Sequence, residues 1–323
     1  MAECTQTLSV VVPVYFEEEV LETFYQRVCT ALAPLEPEFR LELVFVNDGS
    51  TDRSLEILLG LRERDPRVKV LHFSRNFGHQ IAVTAGLDHA GGDAVVVIDA
   101  DLQDPPEVIP QMLDKWREGY KVVYGVRAER RGESAFKRGT AKLFYRLLGQ
   151  LSDVRLPLDA GDFRLLDRAV VDALRKMPEE SRYLRGMVSW VGYRQCGISY
   201  VRDARYAGET KYTLGKMIRL AFNAVTSFSE KPLVLVGWMG VFATLAGFLY
   251  LIQVITGKLL RPETVVSGWA SMIGVVIFFG GIQLLFLGVL GQYVGRIYRE
   301  TKRRPLYILE ASWGTERDTR ADQ

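Results

Sequence analysis

Two aspartates, Asp99 and Asp101, are separated by a single residue and come directly after a short apolar run. Two carboxylates this close repel each other unless a cation lies between them. Hard divalent cations take oxygen ligands, and a bound Mg²⁺ or Mn²⁺ would also bridge a diphosphate and neutralise a leaving group. A solvated acidic turn gives the same triplet. The position after a buried strand, with Asp48 after a neighbouring strand, favours a metal site.

The elements that must position these residues are predicted from five apolar, valine-rich runs. Such runs are typical of parallel strands covered on both faces. They are Leu8–Val14, Leu41–Val46, Val68–Phe73, Ala94–Ile98 and Val122–Val126. Helical patterns alternate with them at Glu18–Leu32, Asp52–Arg64, Gln80–His89 and Glu107–Trp116. The alternation predicts an α/β fold with a doubly wound, mostly parallel sheet, in which ligands bind outside the carboxyl ends of the strands.

The polar segments that follow these strands resemble the family 2 glycosyltransferases with the A-type fold. The resemblance is carried by Pro13–Glu18, Val46–Asp52 and Asp99–Glu107, and it is narrowed by Arg75–Gly78 and Gly161–Leu165. Together the segments are similar to the polyprenyl-phosphate glycosyltransferases, which include dolichyl-phosphate mannose synthase and the bactoprenol glucosyltransferases. Met187–Gly192 and Thr226–Ser229 are most similar to the bactoprenol branch. One departure is Phe16, where similar enzymes usually have Asn, and it puts in doubt one hydrogen bond near the nucleotide.

This resemblance implies inverting transfer of a hexose, with glucose from UDP-glucose favoured, to a membrane polyprenyl phosphate. It implies a nucleotide-sugar site made by Pro13, Tyr15, Glu17, Asp48, Arg75 and Asp99. It further implies that Asp101 and Gln103 coordinate Mg²⁺ or Mn²⁺ and that Asp162 and Asp101 act at the reacting centre. A mannosyl or modified-sugar donor remains open, because the choice of base depends on a few loop contacts. Similar proteins include tetramers, so a homo-oligomer is a further expectation.

The acceptor that the resemblance implies changes what catalysis requires. A phosphate monoester has a second pKa of about 6, so its oxygen is mostly an anion at neutral pH and hardly needs a general base. Asp162 is therefore as well explained by orienting the donor sugar or stabilising positive charge as by proton abstraction. A cap of a helix or turn is the alternative without function.

An anionic acceptor that approaches an anionic donor does require cations. The segment from Arg127 to Arg138 holds five basic residues and predicts a mobile loop over the diphosphate and the lipid phosphate. Within it, Arg127 is the predicted catalytic cation because it lies nearest the strand. Arg138, Arg205 and Lys211 are predicted to bind the lipid phosphate. Attraction to anionic lipid headgroups explains Arg205 and Lys211 equally well.

Two long uncharged runs near the C-terminus predict a transmembrane hairpin. The runs, at about 233–255 and 267–294, are each long enough to cross a hydrocarbon core of about 30 Å. Basic residues flank the outer ends more densely than the short link, which places both termini in the cytoplasm of a multi-pass inner-membrane protein. The predicted domains are a cytoplasmic domain at 1–205, an amphipathic interfacial helix within 206–231, the hairpin at 232–296 and a cytoplasmic tail at 297–323.

Composition narrows the function classes. A net charge of +2 argues against a nucleic-acid partner. The three cysteines are widely spaced and predict no disulfide framework. A processive polysaccharide synthase is disfavoured, because two spans give too little channel wall and the chain has no Gln-x-x-Arg-Trp segment. A non-catalytic membrane scaffold is disfavoured by the intact acidic residues.

Overall fold

The computed structural model describes residues 6–127, 160–180, 182–202, 231–260 and 268–315. These residues fall into two compact units. The first unit comprises 6–127, 160–180, 182–202 and 304–315, and the second comprises 231–260 and 268–303. The predicted interfacial helix and the residues Arg138, Arg205 and Lys211 lie outside the described residues.

The first unit is built on an eight-stranded sheet. Its strands are β1 Gln6–Val14, β2 Phe39–Asn47, β3 Val68–Phe73, β4 Ala94–Val97, β5 Val122–Arg127, β6 Ala160–Asp167, β7 Gln195–Tyr200 and β8 Leu309–Trp313. Their order across the sheet is β7-β5-β6-β4-β1-β2-β3-β8. Strands β1 to β5 and β7 run in one direction, while β6 and β8 run in the other. The sheet is therefore mixed, and the predicted parallel arrangement holds for its six co-directional strands.

Helices cover the sheet between these strands. They are α1 Leu21–Leu32, α2 Ser54–Arg64, α3 His79–His89, α4 Ile109–Arg117, α5 Arg168–Arg175 and α6 Leu184–Trp190. The central strands are buried on both faces, as their continuous apolar runs predict. Helix α3 packs closely on β1, because a Cβ on Gly86 would lie only 2.2 Å from Cγ1 of Val11. A larger residue there would push α3, and the residues at its start, away from the sheet.

Three predicted helices begin later than expected. Helix α4 starts at Ile109 rather than Glu107, because a 3₁₀ turn at Pro106–Val108 precedes it. The other two have local reasons in their side chains and turns. Helix α1 starts at Leu21 rather than Glu18, because the carbonyl of Glu17 accepts the amides of Val20 and Leu21 in a turn. Helix α2 starts at Ser54 because the carboxylate of Asp52 accepts the backbone and hydroxyl protons of Ser54 at 3.1 and 2.9 Å. Such side-chain bonds to the backbone compete with helical bonds.

Three strands were not predicted. β6 carries charged residues among its apolar ones, and β7 and β8 are short strands at the two ends of the sheet without a long apolar run. The presence of β8 corrects the expectation of one C-terminal tail at 297–323. Leu309–Trp313 pair with β3 inside the sheet, so residues 304–315 belong to the first unit.

The second unit consists of two helices, α7 Lys231–Leu260 and α8 Trp269–Lys302. Among the described residues, one helical segment, Phe278–Lys302 with a mean hydropathy of 1.5, is long and apolar enough to cross a membrane. The apolar segment Val236–Tyr250 of α7 is shorter. Many large apolar side chains of the two helices are exposed, among them Phe242, Phe248, Phe278 and Leu284 at 60–71%.

Candidate active site

One edge of the sheet gathers the predicted site residues. Because β1 to β5 and β7 run in the same direction, their carboxyl ends lie along this edge, which we call the carboxyl edge. Strand β6 runs oppositely beside β4, so the first residues of β6 reach the same edge. The residues after β4 and at the start of β6 are thereby brought together, although far apart in sequence.

Asp99 and Asp162 meet at the carboxyl edge. Strand β4 pairs with β6 so that Val97 faces Arg164. Asp99 follows the end of β4 by two residues, and Asp162 precedes Arg164 by two, so both lie beyond this pair on the same side. The imidazole of His79, the first residue of α3, is close to both carboxylates. Its Nε2 lies 3.7 Å from Oδ1 of Asp99 and 3.8 Å from Oδ2 of Asp162. The predicted donor-binding and catalytic aspartates thus belong to one cluster.

Asp162 is held in a two-pronged ion pair. Nε and Nη2 of Arg185, at the start of α6, each donate a hydrogen bond of 2.8 Å to its two carboxylate oxygens. Burial alone would raise the pKa of Asp162, but the bonds and charge of Arg185, with the charge of Arg164, hold that pKa well below its usual range. A carboxylate this acidic is a weak proton acceptor. The geometry therefore favours an orienting role over a general base.

Asp99 has the opposite electrostatic setting. Among the described residues its Oδ1 has no hydrogen-bond partner, and this oxygen is buried. Burial, together with the negative charges of Asp162, Asp101 and Asp104, raises the pKa of Asp99 to about 6, although the nearby His79 opposes the shift. A buried acceptor without a partner is costly in the absence of a ligand. The site is arranged to accept positive charge.

The loop after β4 fixes Asp101 and Gln103. The amide of Gln103 donates to Oδ1 of Asp101 at 3.1 Å, and the Gln103 side chain is largely buried. Between them Leu102 has a left-handed backbone with φ of 60°, which a residue with a large side chain adopts only at a cost. On the other side, Arg202 lies 3.9 Å from Oδ2 of Asp101. Backbone strain such as that at Leu102 is often retained at functional sites.

These side chains fit a divalent cation whose coordination a substrate completes. No three His, Cys, Asp or Glu side chains among the described residues form a closed metal site. Mg²⁺, however, is usually held by one or two carboxylates together with waters and substrate phosphates. The carboxylate of Asp101 and the buried side chain of Gln103 make such an open set of hard donors. Oδ1 of Asp99, which has no hydrogen-bond partner among the described residues, adds negative charge nearby.

Asp48, after β2, is used differently. Its carboxylate accepts the amides of Phe77 and Gly78 at 2.6 and 2.9 Å and the side-chain amide of Asn76 at 3.0 Å. Burial raises the pKa of Asp48, and the two backbone bonds only partly offset that rise. The carboxylate therefore anchors the loop that carries Arg75. Gly49 allows the close approach, since a Cβ there would lie 2.4 Å from the backbone carbon of Arg75.

The loop after β1 presents two exposed aromatic rings to the carboxyl edge. Tyr15 and Phe16 are 47% and 49% exposed, and their rings meet edge to face at 4.4 Å. Phe16 has a left-handed backbone with φ of 57°. The conformation is held because the amides of Phe16 and Glu17 donate to the hydroxyls of Ser50 and Ser54 at 3.2 and 3.1 Å. Pro13, at the end of β1, is buried and pairs with Val46 of β2.

The family model described as Glycosyl transferase family 2 matches residues 9–175, just over half of the chain. The chain belongs to glycosyltransferase family 2. It is 53% identical over 308 residues to the uncharacterized glycosyltransferase YkcC of Bacillus subtilis, covering 95% of this chain and 94% of that protein. It is 43% identical over 305 residues to the SfII prophage-derived bactoprenol glucosyl transferase of Shigella flexneri, covering 94% of this chain and 98% of that protein.

This glycosyltransferase therefore has the A-type α/β fold that the sequence predicted, with a mixed sheet. Its carboxyl edge brings together Asp99, Asp101, Gln103 and Asp162, while Tyr15, Glu17, Asp48 and Arg75 lie in the loops after β1, β2 and β3. Arg127 is the last residue of β5 and pairs with Tyr200. The remainder of the predicted basic loop lies outside the described residues.

Three further residues of the glycosyltransferase site were not identified from the sequence. One is His79, which follows the Arg75–Gly78 segment and starts α3 at the carboxyl edge. Arg185 and Arg202 had no motif that could identify them. The start of α6 reaches the site because the amide of Leu184 donates to Oε1 of Gln80 at 3.0 Å, beside His79. This is a tertiary contact that sequence spacing does not reveal.

Proposed function

We propose that this glycosyltransferase transfers glucose from UDP-glucose to a membrane polyprenyl phosphate, with inversion at the anomeric carbon. The acidic cluster of Asp99 and Asp101, with its buried unpartnered oxygen, is the observation that carries the proposal. It is suited to a cation and a diphosphate rather than to a neutral ligand. The relatives named bactoprenol glucosyl transferase match almost the full length of the chain and support the acceptor and the sugar.

The metal in this proposal is Mg²⁺ or Mn²⁺, held by Asp101 and Gln103, with Asp99 facing the diphosphate. When bound, it supplies positive charge that stabilises the nucleoside diphosphate as it leaves. Burial raises the pKa of Asp99 to about 6, and the charges of Asp162, Asp101 and Asp104 add to the rise. The charge of the metal would relieve the repulsion among these carboxylates. Asp99 would then stay ionised at neutral pH and keep the diphosphate side of the site rigid.

Asp162 in this proposal orients rather than abstracts a proton. Its low pKa and its two bonds to Arg185 make it a weak base, and a polyprenyl phosphate is already an anion at neutral pH. The fixed carboxylate would instead face positive charge that develops on the sugar. Arg127 would contribute a cation to the same centre, while Arg138, Arg205 and Lys211 would meet the lipid phosphate.

The nucleotide in this proposal lies over the loops after β1, β2 and β3. Pro13, Tyr15 and Glu17 would hold the base and ribose, and Arg75 would reach the phosphates. Asp48 would act indirectly, because its carboxylate is already occupied by the loop that carries Arg75. An uncharged variant of Asp48 should therefore affect donor binding through that loop.

The acceptor explains the two C-terminal helices. A polyprenyl phosphate resides in a bilayer, and a hairpin of α7 and α8 would keep the glycosyltransferase unit at its surface. The apolar segment Phe278–Lys302 and the exposed apolar side chains of both helices support this arrangement. The basic residues flanking the runs support a cytoplasmic catalytic unit with both termini on the same side. A homo-oligomer would be compatible with this arrangement.

The decisive experiment incubates membranes containing the full chain with radiolabelled UDP-glucose, polyprenyl phosphate and Mg²⁺ or Mn²⁺. We expect one labelled lipid that carries a single sugar and that fails to form when EDTA is added. A label from GDP-mannose but not from UDP-glucose would change the donor and keep the acceptor. A ladder of polymer would indicate a processive synthase, and nucleotide binding without a labelled lipid would indicate a scaffold.

A further inference from the structure

The segment that follows α8 returns to the first unit beside β3. The amide of Ser74 donates to the carbonyl of Ile308 at 3.1 Å, and β8 then pairs antiparallel with β3. Tyr307 is placed against the end of β3, because its ring stacks on that of Phe73 with centroids 5.2 Å apart and planes 19° apart. Its hydroxyl donates to Oδ2 of Asp88 at 3.2 Å. The ring is thus fixed both by stacking and by a hydrogen bond.

From Tyr307 an unbroken series of aromatic contacts leads to Arg75. Phe73 meets Phe77 edge to face with centroids 5.5 Å apart. The guanidinium carbon of Arg75 lies 3.9 Å from the centre of the Phe77 ring, which is a cation–π contact. The Arg75 side chain also donates to the carbonyl of Asn76 at 3.0 Å. The Arg75 guanidinium therefore packs on the Phe77 ring, and the Phe77 ring packs on Phe73.

Arg75 is exposed at the carboxyl edge, where a long flexible side chain would otherwise sample many rotamers. Ordering such a side chain on binding costs conformational entropy. Asp48 fixes the backbone of the loop through Phe77 and Gly78, but among the contacts described it does not reach the Arg75 guanidinium by a hydrogen bond. The Phe77 ring does contact that group. The direction of Arg75 thus depends on the ring stack.

We infer that Tyr307 is a positioning residue for the donor site, acting through Phe73 and Phe77 on Arg75. The segment after the last helix would then complete the nucleotide-sugar site rather than only close the edge of the sheet. This inference rests on the proposed role of Arg75 in binding the donor diphosphate. It concerns affinity for the donor, so it predicts a change in the KM for UDP-glucose and in the Kd for UDP with little change in kcat.

The test measures UDP binding and UDP-glucose kinetics of the full-length protein in membranes. Tyr307→Leu should weaken UDP binding by about three- to tenfold, because it removes the support of a cation–π contact and the ordering of one arginine. Tyr307→Phe keeps the stack and should bind UDP within about twofold of the parent. Ile308→Ala is the matched control, because it shortens an exposed neighbouring side chain and retains the backbone bond to Ser74.

A double variant separates positioning from a general loss of structure. Arg75→Ala alone should weaken UDP binding by about ten- to a hundredfold, as expected for loss of charge-assisted bonds. Adding Tyr307→Leu to Arg75→Ala should have no further effect on UDP binding, because the group it positions is absent. If Tyr307→Leu does not fold, Phe77→Leu breaks the same series two contacts nearer Arg75 and should weaken UDP binding in the same way.

Two results would overturn the inference. One is unchanged UDP binding by folded Tyr307→Leu and Phe77→Leu, and the other is a full additional loss in the Arg75→Ala background. Failure of the proposed function would look different, since the parent itself would then bind no UDP or would form no labelled lipid.

Discussion

Two aspartates at the carboxyl edge, Asp48 and Asp99, have different surroundings. Asp48 accepts three hydrogen bonds from the loop after β3. Oδ1 of Asp99 is buried and has no hydrogen-bond partner among the described residues. Burial of this carboxylate, together with the charges of three other aspartates, raises the pKa of Asp99 to about 6. The residue type is the same at both positions, but the Asp48 side chain is buried and that of Asp99 is 29% exposed. Hydrogen-bond partners and access to solvent therefore distinguish the two carboxylates.

The largest expected effect is in the loop after β4, which holds Asp99 and Asp101. Asp101→Ala should lower sugar transfer by roughly 10²- to 10³-fold, the usual loss when a group that stabilises transition-state charge is removed. Thermal stability should stay close to that of the parent, because Asp101 makes one hydrogen bond within its own loop and one long ion pair with Arg202 at 3.9 Å. The assay is formation of labelled lipid, together with Tm.

The control is Asp114→Asn on α4, whose side chain is 66% exposed and whose ion pair with Arg117 lies on the surface. It should retain full transfer. If Asp101→Ala kept the parent's rate of transfer, the loop that holds Asp99 and Asp101 would not take part in the reaction. The contrast between Asp48 and Asp99 would then say nothing about function.

The next largest effect concerns the free energy of unfolding and comes from Asp48, whose carboxylate accepts three hydrogen bonds. Asp48→Ala leaves two backbone amides and one side-chain amide without their acceptor, and it should lower the free energy of unfolding by about 2–4 kcal/mol. Asp48→Asn keeps one carbonyl oxygen and should fall between that variant and the parent. Urea unfolding measures the difference. An unchanged midpoint for Asp48→Ala would show that the loop is held without this carboxylate.

The sequence identified Asp99 and Asp101 as candidates because two carboxylates after a buried strand call for a cation, which is a local requirement. Their role as ligands or donor contacts stays a prediction. The structural use of Asp48 was missed, because its partners come from the loop after another strand. His79 and Arg185 were missed for a similar reason, since helix packing brings their helix starts together. Strand β8 was missed because a five-residue edge strand of mixed composition has no distinctive pattern.

A third prediction compares Asp99 with Asp162 by pH. The raised pKa of Asp99 means that its contribution to stability is present below its unfolded pKa of about 4 and is lost as pH rises through about 6. The lowered pKa of Asp162 has the opposite sign, so its contribution is present above the unfolded pKa and is lost as pH falls below it. The two groups should therefore give opposite slopes.

The measurement is Tm against pH from 4 to 8 with EDTA present. Asp99→Asn should flatten the fall in stability between about pH 4 and 6, worth about 1–2 kcal/mol, whereas Asp162→Asn should lower Tm throughout the range from pH 4 to 8. Parallel curves for Asp99→Asn and the parent would mean that Asp99 is not the strained carboxylate.

The smallest expected effect tests backbone strain at two loops of the carboxyl edge, the loop after β1 and the loop after β4. Phe16 and Leu102 both have left-handed backbones, with φ of 57° and 60°, and Asn tolerates this conformation better than either. Phe16→Asn should raise the free energy of unfolding by about 0.5–1 kcal/mol, because the Phe16 ring is half exposed and little burial is lost. Leu102→Asn should instead destabilise, because Leu102 is only 7% exposed and its apolar contacts outweigh the relief of strain. Denaturant unfolding measures the free energy of unfolding of both variants in one experiment. An increase for Leu102→Asn would show that the backbone strain at Leu102 costs more than the burial of its side chain contributes.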